Sequence, residues 1–262
     1  MKPATTIRLG VVLGLLGLAS CGKDNTSPAA LVDDAQITAD VAQAAGEAIA
    51  IDITSLLGNE VVSALPSAGI GFDISGGRGA DSLTTSRTKT CYDAGHVVVA
   101  NCAPATTRAI VFHVTVEGSR AGTNFTGVVH RVRDWTMTRN FNTAVPPAEV
   151  SRTHDGVGSS ADTTTHTGAL VTRTHAESAV DSTIGVTWNL PRSTNPFPVS
   201  GMMVRRVSIH STFQSATRQE TRDVVRRVEV DFPADAQGNV VMKVNEKTCN
   251  LNLVTRSVTD CH

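Results

Sequence analysis

The sequence predicts a mainly β protein: a curved antiparallel up-and-down sheet or barrel-like sheet with an N-terminal α-helix packed on it. Three observations lead there. From Arg108 onward apolar and polar residues alternate with a period of two in one segment after another, as half-buried antiparallel strands require. Aromatics make up only 4% of the chain while threonine, serine and valine abound, which suits strands around a modest core. Ahead of the strands, apolar residues follow helical spacing instead. A β-sandwich is the alternative architecture.

The helical part comes first. Ser27-Pro28 has the form of a helix start, a serine cap followed by proline at the first helical position. Leu31, Ile37, Val41, Ala45, Ala48 and Ile49 then recur at intervals near three and four, with Asp33, Asp34, Asp40 and Glu47 between them, which predicts an amphipathic helix. A second helical piece is predicted over SLLGNEVVSAL, ended by Pro66, so that the helical segment spans residues 28–65. GIGFDISGGRGAD, residues 69–81, matches a dinucleotide loop at Gly69 and Gly71 but carries Ile74 in the third glycine position. Without a strand and helix around it, it reads as an ordinary loop.

The strands follow. In RAIVFHVTVEG, Ile110, Phe112, Val114 and Val116 share one face. The same spacing groups Val180, Ile184, Val186, Trp188 and Leu190, then Val207, Ile209 and Phe213, then Val224, Val228, Val230 and Phe232. In NFTGVVHRVRDWTMTRNF the apolar phase slips between Val128, Val132 and Trp135, Met137, and a β-bulge is expected there. PADAQGN before VVMKVN has glycine and asparagine where a hairpin needs them, and TCNLNLVT supplies the last strand.

The first residues are not part of this fold. Lys2 and Arg8 precede an apolar run, LGVVLGLLGLA, that is shorter than the roughly 20 residues needed to span a bilayer and has the form of a secretory signal. Leu18-Ala19-Ser20-Cys21 resembles a bacterial lipobox: an aliphatic residue, two small residues and cysteine. The resemblance implies cleavage before Cys21, lipidation of its sulfur and acylation of the new amino terminus. It covers the first twenty-odd residues alone. The expected organisation is a signal peptide over 1–20, a lipidated cysteine and tether over 21–27, and one β-rich domain over 28–262. Acyl chains contribute about 0.8 kcal/mol per buried methylene, so two or three hold a protein firmly on a membrane.

Removing residues 1–20, with Lys2 and Arg8, leaves 242 residues and takes the formal charge from −1 to −3. That balance offers no electrostatic case for nucleic acid. With Cys21 set aside, Cys91, Cys102, Cys249 and Cys261 remain, an even number that reads as two disulfides in an exported chain. Of the three possible pairings, the local one, Cys91 with Cys102 and Cys249 with Cys261, is favoured because it closes two short loops of similar size. Zinc is the alternative use of these cysteines, but C-x-x-C spacing is missing.

Enzyme signatures are scarce. The sequence has no G-x-S-x-G, no H-E-x-x-H and no Walker loop. Ser151, His154 and Asp155 lie together in SRTHDG, but residues adjacent on a strand point different ways. His154, His166 and His175 are the candidate metal ligands, since the tetrapeptides RTHD and RTHA could place His154 and His175 on neighbouring strands. The bland reading is that they decorate a polar, threonine-rich face. Alternating charges in RQETRDVVRRVEVD suggest a solvated sheet face. No cofactor is implied.

The function expected is that of a membrane-anchored bacterial envelope lipoprotein acting as a structural or binding module, held to the membrane by its N-terminal lipid. Its protein or lipid partner is not specified by the sequence. A carrier of lipid or another hydrophobic ligand is one alternative, with Phe112, Trp188, Phe213 and Phe232 either lining a groove or filling it. A metal-dependent hydrolase on the histidine-bearing face is the other.

Overall fold

The computed structural model describes residues 34–63, 82–122 and 124–262. Cys21 and its lipobox, the Ser27-Pro28 helix start and the glycine-rich stretch 69–81 lie outside these residues.

Among the described residues there is a single helix, α1, which runs Asp34–Ser63 over 30 residues. The two predicted helical pieces are therefore one. Gly58 does not divide them, because a glycine in a helix costs only about 1 kcal/mol, less than tertiary packing supplies. Ile37, Val41, Ala45, Ile49 and Ile53 form a buried row at a spacing of four. The expected polar face is not a wet one. Ala48, Ala50 and Ile51 are buried as well, and so is Asp52, so from Ala48 to Ile53 the helix is covered all round.

The described residues also form eleven strands: β1 (Ser82–Tyr92), β2 (Val98–Val99), β3 (Ala109–Gly122), β4 (Phe125–Phe141), β5 (Glu149–Thr167) and β6 (Thr172–Asn189). They continue as β7 (Ser200–Gln214), β8 (Gln219–Asp231), β9 (Asn239–Val244), β10 (Lys247–Asn252) and β11 (Ser257–Thr259). All belong to one antiparallel sheet in the order β11-β10-β9-β8-β7-β6-β5-β4-β3-β1-β2. Chain order and spatial order agree except at one end, where β2 folds back on the outer side of β1. The sheet is not closed, and α1 packs on its inner face. Gly46 allows the closest approach, since a Cβ there would press on Val258 and meet Leu251 at 3.2 Å.

The alternation holds in β3, β7, β8 and β9, where Phe112, Val114, Val207, Phe213, Val228, Val230 and Met242 are all buried. Two expectations need correction. The strand β4 has no bulge between Val128 and Met137, for its pairing with β3 runs unbroken from Gly122 opposite Phe125 to Ala109 opposite Thr138. The apparent slip arises because Arg131 and Arg133, which have the parity of Trp135 and Met137, are the inward residues. The bulge lies instead in β6, where the register with β7 shifts between Ile184 and Thr187 around Gly185, at φ 58°. Val186 and Trp188 are inward, while Val180 and Ile184 on the other side of the bulge are 60% and 50% exposed. One extra residue reverses the faces.

Cys91 is bonded to Cys102 and Cys249 to Cys261, the local pairing. Disulfides persist in oxidising, non-cytoplasmic compartments. Among the described residues no helix is long and apolar enough to cross a membrane.

Candidate functional site

The inner face of the central strands carries charge where a core would carry hydrocarbon. In β4, Arg133 stands opposite Gly158 of β5, which in turn stands opposite Asp181 of β6. A side chain at Gly158 would occupy the space of the Arg133 guanidinium, so the glycine lets the arginine pass over its strand to the next. Arg133 Nη2 lies 3.0 Å from Asp181 Oδ2, and its Nε donates to Asp52 Oδ2 of α1 at 3.0 Å. On β7, Arg205 donates to Asp181 Oδ1 at 2.8 Å, to Glu177 Oε1 at 2.7 Å and to Ser160 Oγ at 2.7 Å. Arg131 donates through Nε and Nη2 to Asp162 Oδ2, at 3.1 and 2.7 Å.

Such burial is tolerable only when every charge has partners. Burial disfavours the charge on Arg205, but Asp181 and Glu177 more than offset this and hold the guanidinium protonated. Burial pushes the Asp181 carboxyl above its usual range despite Arg205 and Arg133, with Asp52 as a like charge adding to the rise.

Helix α1 is joined to this face by three of its acids. Besides Asp52, Glu47 accepts from Arg120 of β3 at 2.7 Å. Asp40 lies 3.2 Å from His175 Nε2 and 3.4 Å from Arg173 Nη1, both on β6. His175 Nδ1 is in turn 2.8 Å from Ser211 Oγ of β7. Burial works to raise the Asp40 carboxyl, but the hydrogen bond from His175 and the Arg173 charge outweigh it and hold the group below its usual value. The line Asp40–His175–Ser211 has the composition of a hydrolytic triad, yet Ser211 is 0% exposed, so no substrate reaches its hydroxyl.

Beside this relay, between α1 and strands β3–β6, lies a partly enclosed pocket of about 210 Å³. Asp40, Ala44 and Glu47 come from one face of the helix; the strands add Gly127, Thr164, His166 and Glu177 among others. Gly127 and Thr164 leave room between larger neighbours. Burial holds His166 below its ordinary value.

The predicted histidines are only partly brought together. His166 and His175 meet at 5.9 Å between ring centroids. His154 is elsewhere: it stands opposite Val186, whereas His175 stands opposite Thr164, about ten residues and roughly 33 Å along β5. There it is fully buried and edge-on to Trp188 at 5.1 Å. Among the described residues no group of three or more histidines, cysteines, aspartates or glutamates is arranged to hold a metal ion. In SRTHDG, Asp155 accepts from the Gly185 backbone instead of joining Ser151 and His154. Charges of β8 pair within the strand, Arg222 with Glu220 at 3.0 Å and Arg227 with Glu229 at 2.6 Å, and across it, Asp223 with His210 of β7 at 2.7 Å and Asp231 with Lys243 of β9 at 3.0 Å.

Sequence reasoning missed Arg131, Arg133 and Arg205 together with Asp52, Glu177 and Asp181. The signal was present as parity, since Arg131 and Arg133 fall on the same alternating positions as Trp135 and Met137. Phe112, Trp188 and Phe213 are fully buried and Phe232 nearly so, within a core that includes residues of α1. Comparison with family models, characterised proteins and solved structures finds no match for this chain. The class of protein is thus defined by its own geometry: an open eleven-stranded antiparallel sheet around a helix, with a charged pocket at their junction.

Proposed function

We propose that this chain is a lipid-anchored protein of a bacterial cell envelope, and that its helix-filled sheet is a binding or scaffolding module, not an enzyme. The observation that carries the anchoring is Leu18-Ala19-Ser20-Cys21 at the end of a short apolar run, with Cys21 left over after the other four cysteines pair. The disulfides support an oxidising address.

The non-enzymatic reading is supported by the relay itself, whose only hydroxyl nucleophile, Ser211, is sealed. A hydrophobic carrier would need an open apolar groove, and here α1 occupies the inner face. The pocket that remains is lined by carboxylates and arginines, which suits a small polar ligand. The test is Cys21→Ser in the full chain. The variant is expected to lose incorporation of labelled fatty acid and to leave the membrane fraction; membrane-bound, unlabelled variant protein would overturn the anchoring.

A further inference from the structure

We propose that the open edge of β1 is a docking site for an extended acidic peptide, which adds to the sheet as a strand and seats a carboxylate on Arg87. This deepens the binding-module half of the proposed function by naming the kind of partner, and it rests on that reading.

The first observation is an inward cation without an acid. Arg87 alternates with buried Cys91 onto the inner face of β1, in the row that Val114 and Arg133 continue on β3 and β4. Arg120, Arg131, Arg133, Arg173 and Arg205 each meet a carboxylate. Among the described residues Arg87 meets none, so burial lowers its guanidinium with no acid to offset it. Its Nε is sealed from solvent without a hydrogen-bond partner, and so is the hydroxyl of Thr85, two residues back on the same face. Two neighbouring polar groups withheld from water and left unmatched call for a partner that brings acceptors.

The second observation is the place such a partner takes. β2 covers β1 only at Cys91 and Tyr92, so among the described residues no strand lies beside residues 82–90. The Asp93 amide donates to Val97 O at 3.0 Å on the β2 side, whereas Tyr92 O accepts from the Arg108 amide at 2.7 Å on the β3 side. Backbone groups alternate along a strand, so Thr85 and Arg87 turn their N–H and C=O to the open edge. A strand added there places one residue directly opposite Arg87 on the same face, with Cβ atoms about 5 Å apart. An aspartate or glutamate at that position reaches the guanidinium.

Charge sets the class of partner. β1 contains Arg87 and Lys89 and no acid, so a second β1 strand supplies no carboxylate. An inward charge also bars apolar strands from an open edge. The peptide is therefore acidic opposite Arg87, and its backbone supplies the remaining bonds.

The test titrates the full chain in detergent, by fluorescence anisotropy, with a labelled peptide that alternates valine and threonine around one central glutamate. Saturable binding is expected, with slower hydrogen exchange at the Thr85 and Arg87 amides. Glutamine in place of the glutamate should weaken binding about tenfold. Proline two residues to each side of the glutamate removes amides that face β1 and should abolish binding. Arg87→Gln should erase the difference between the glutamate and glutamine peptides without lowering the melting temperature, since no acid is stranded. If that variant fails to fold, the peptide comparison on the unaltered chain decides the matter. No binding at millimolar peptide, equal binding of the glutamate and glutamine peptides, undiminished binding of the proline peptide, or self-association that protects the same amides would overturn the site. A chain anchored at Cys21 that takes no peptide would overturn this inference alone.

Discussion

Arg133 on β4 lies 3.0 Å from Asp52 on the helix and 3.0 Å from Asp181 two strands away, so a single guanidinium joins α1, β4 and β6. Its side chain is 3% exposed. Removing it strands Asp52 and takes from Asp181 one of its two cations, leaving Arg205, and breaking such a buried pair from one side costs about 3–5 kcal/mol. Arg133→Met is expected to show that loss in urea unfolding. A change below about 1 kcal/mol would mean that water or another cation satisfies Asp52 and Asp181.

Gly158 carries a linked prediction. Because its missing side chain is the passage for Arg133, Gly158→Val should displace the arginine and destabilise the protein by a similar amount. In the background of Arg133→Met, the same substitution should cost much less, because the space is then free. Additive effects in the double-mutant cycle would show that the glycine serves something else.

His166 makes stability depend on pH. Its folded value lies below its unfolded one near 6.5, so the unfolded chain binds the proton first. The contribution is whole above pH 6.5 and drains as the pH falls through the window beneath it. Asp40, also depressed, adds a loss on the acid side of its unfolded 3.8. Asp181, being raised, works the other way: its contribution is present below 3.8 and is lost as pH rises through the folded value. His166→Gln should flatten the melting profile between about pH 7 and pH 5. An unchanged profile would exclude His166 as the source.

The disulfide at the C-terminal end closes a loop of sequence separation 12 and ties the chain after β11 back to β10. Loops of that length correspond to about 3 kcal/mol of unfolded-state restriction. Cys249→Ser with Cys261→Ser should lower the unfolding free energy by roughly that amount. An equal loss is expected for Cys91→Ser with Cys102→Ser, whose separation is 11. Unfolding that is insensitive to reductant would contradict both.

Strand alternation in Ile110–Val116, the hairpin at Gly238 and the local cysteine pairing were legible in the sequence because each depends on neighbours a few residues apart. The period of two is a property of the strand, and the turn is a property of glycine at φ 81°. The resemblance of Leu18-Ala19-Ser20-Cys21 to a lipobox is likewise a matter of four consecutive residues.

Other features required the folded chain. Val180 and Ile184 were expected to face inward with Trp188, but the bulge at Gly185 reverses them, and bulge position depends on the register of the strands on either side. His154 and His175 look alike in sequence and end at opposite ends of β5 and β6. Arg131, Arg133 and Arg205 gain their roles only when Asp162, Asp181, Glu177 and the helical Asp52 are brought beside them. The sequence by itself determined the run of strands from Arg108 onward, where the helix lies and which cysteines are close, but not β1 and β2, which precede that run. Tertiary structure decided which acid meets which arginine, and hence where the pocket opens. A buried charge is stable only beside partners that lie far away along the chain.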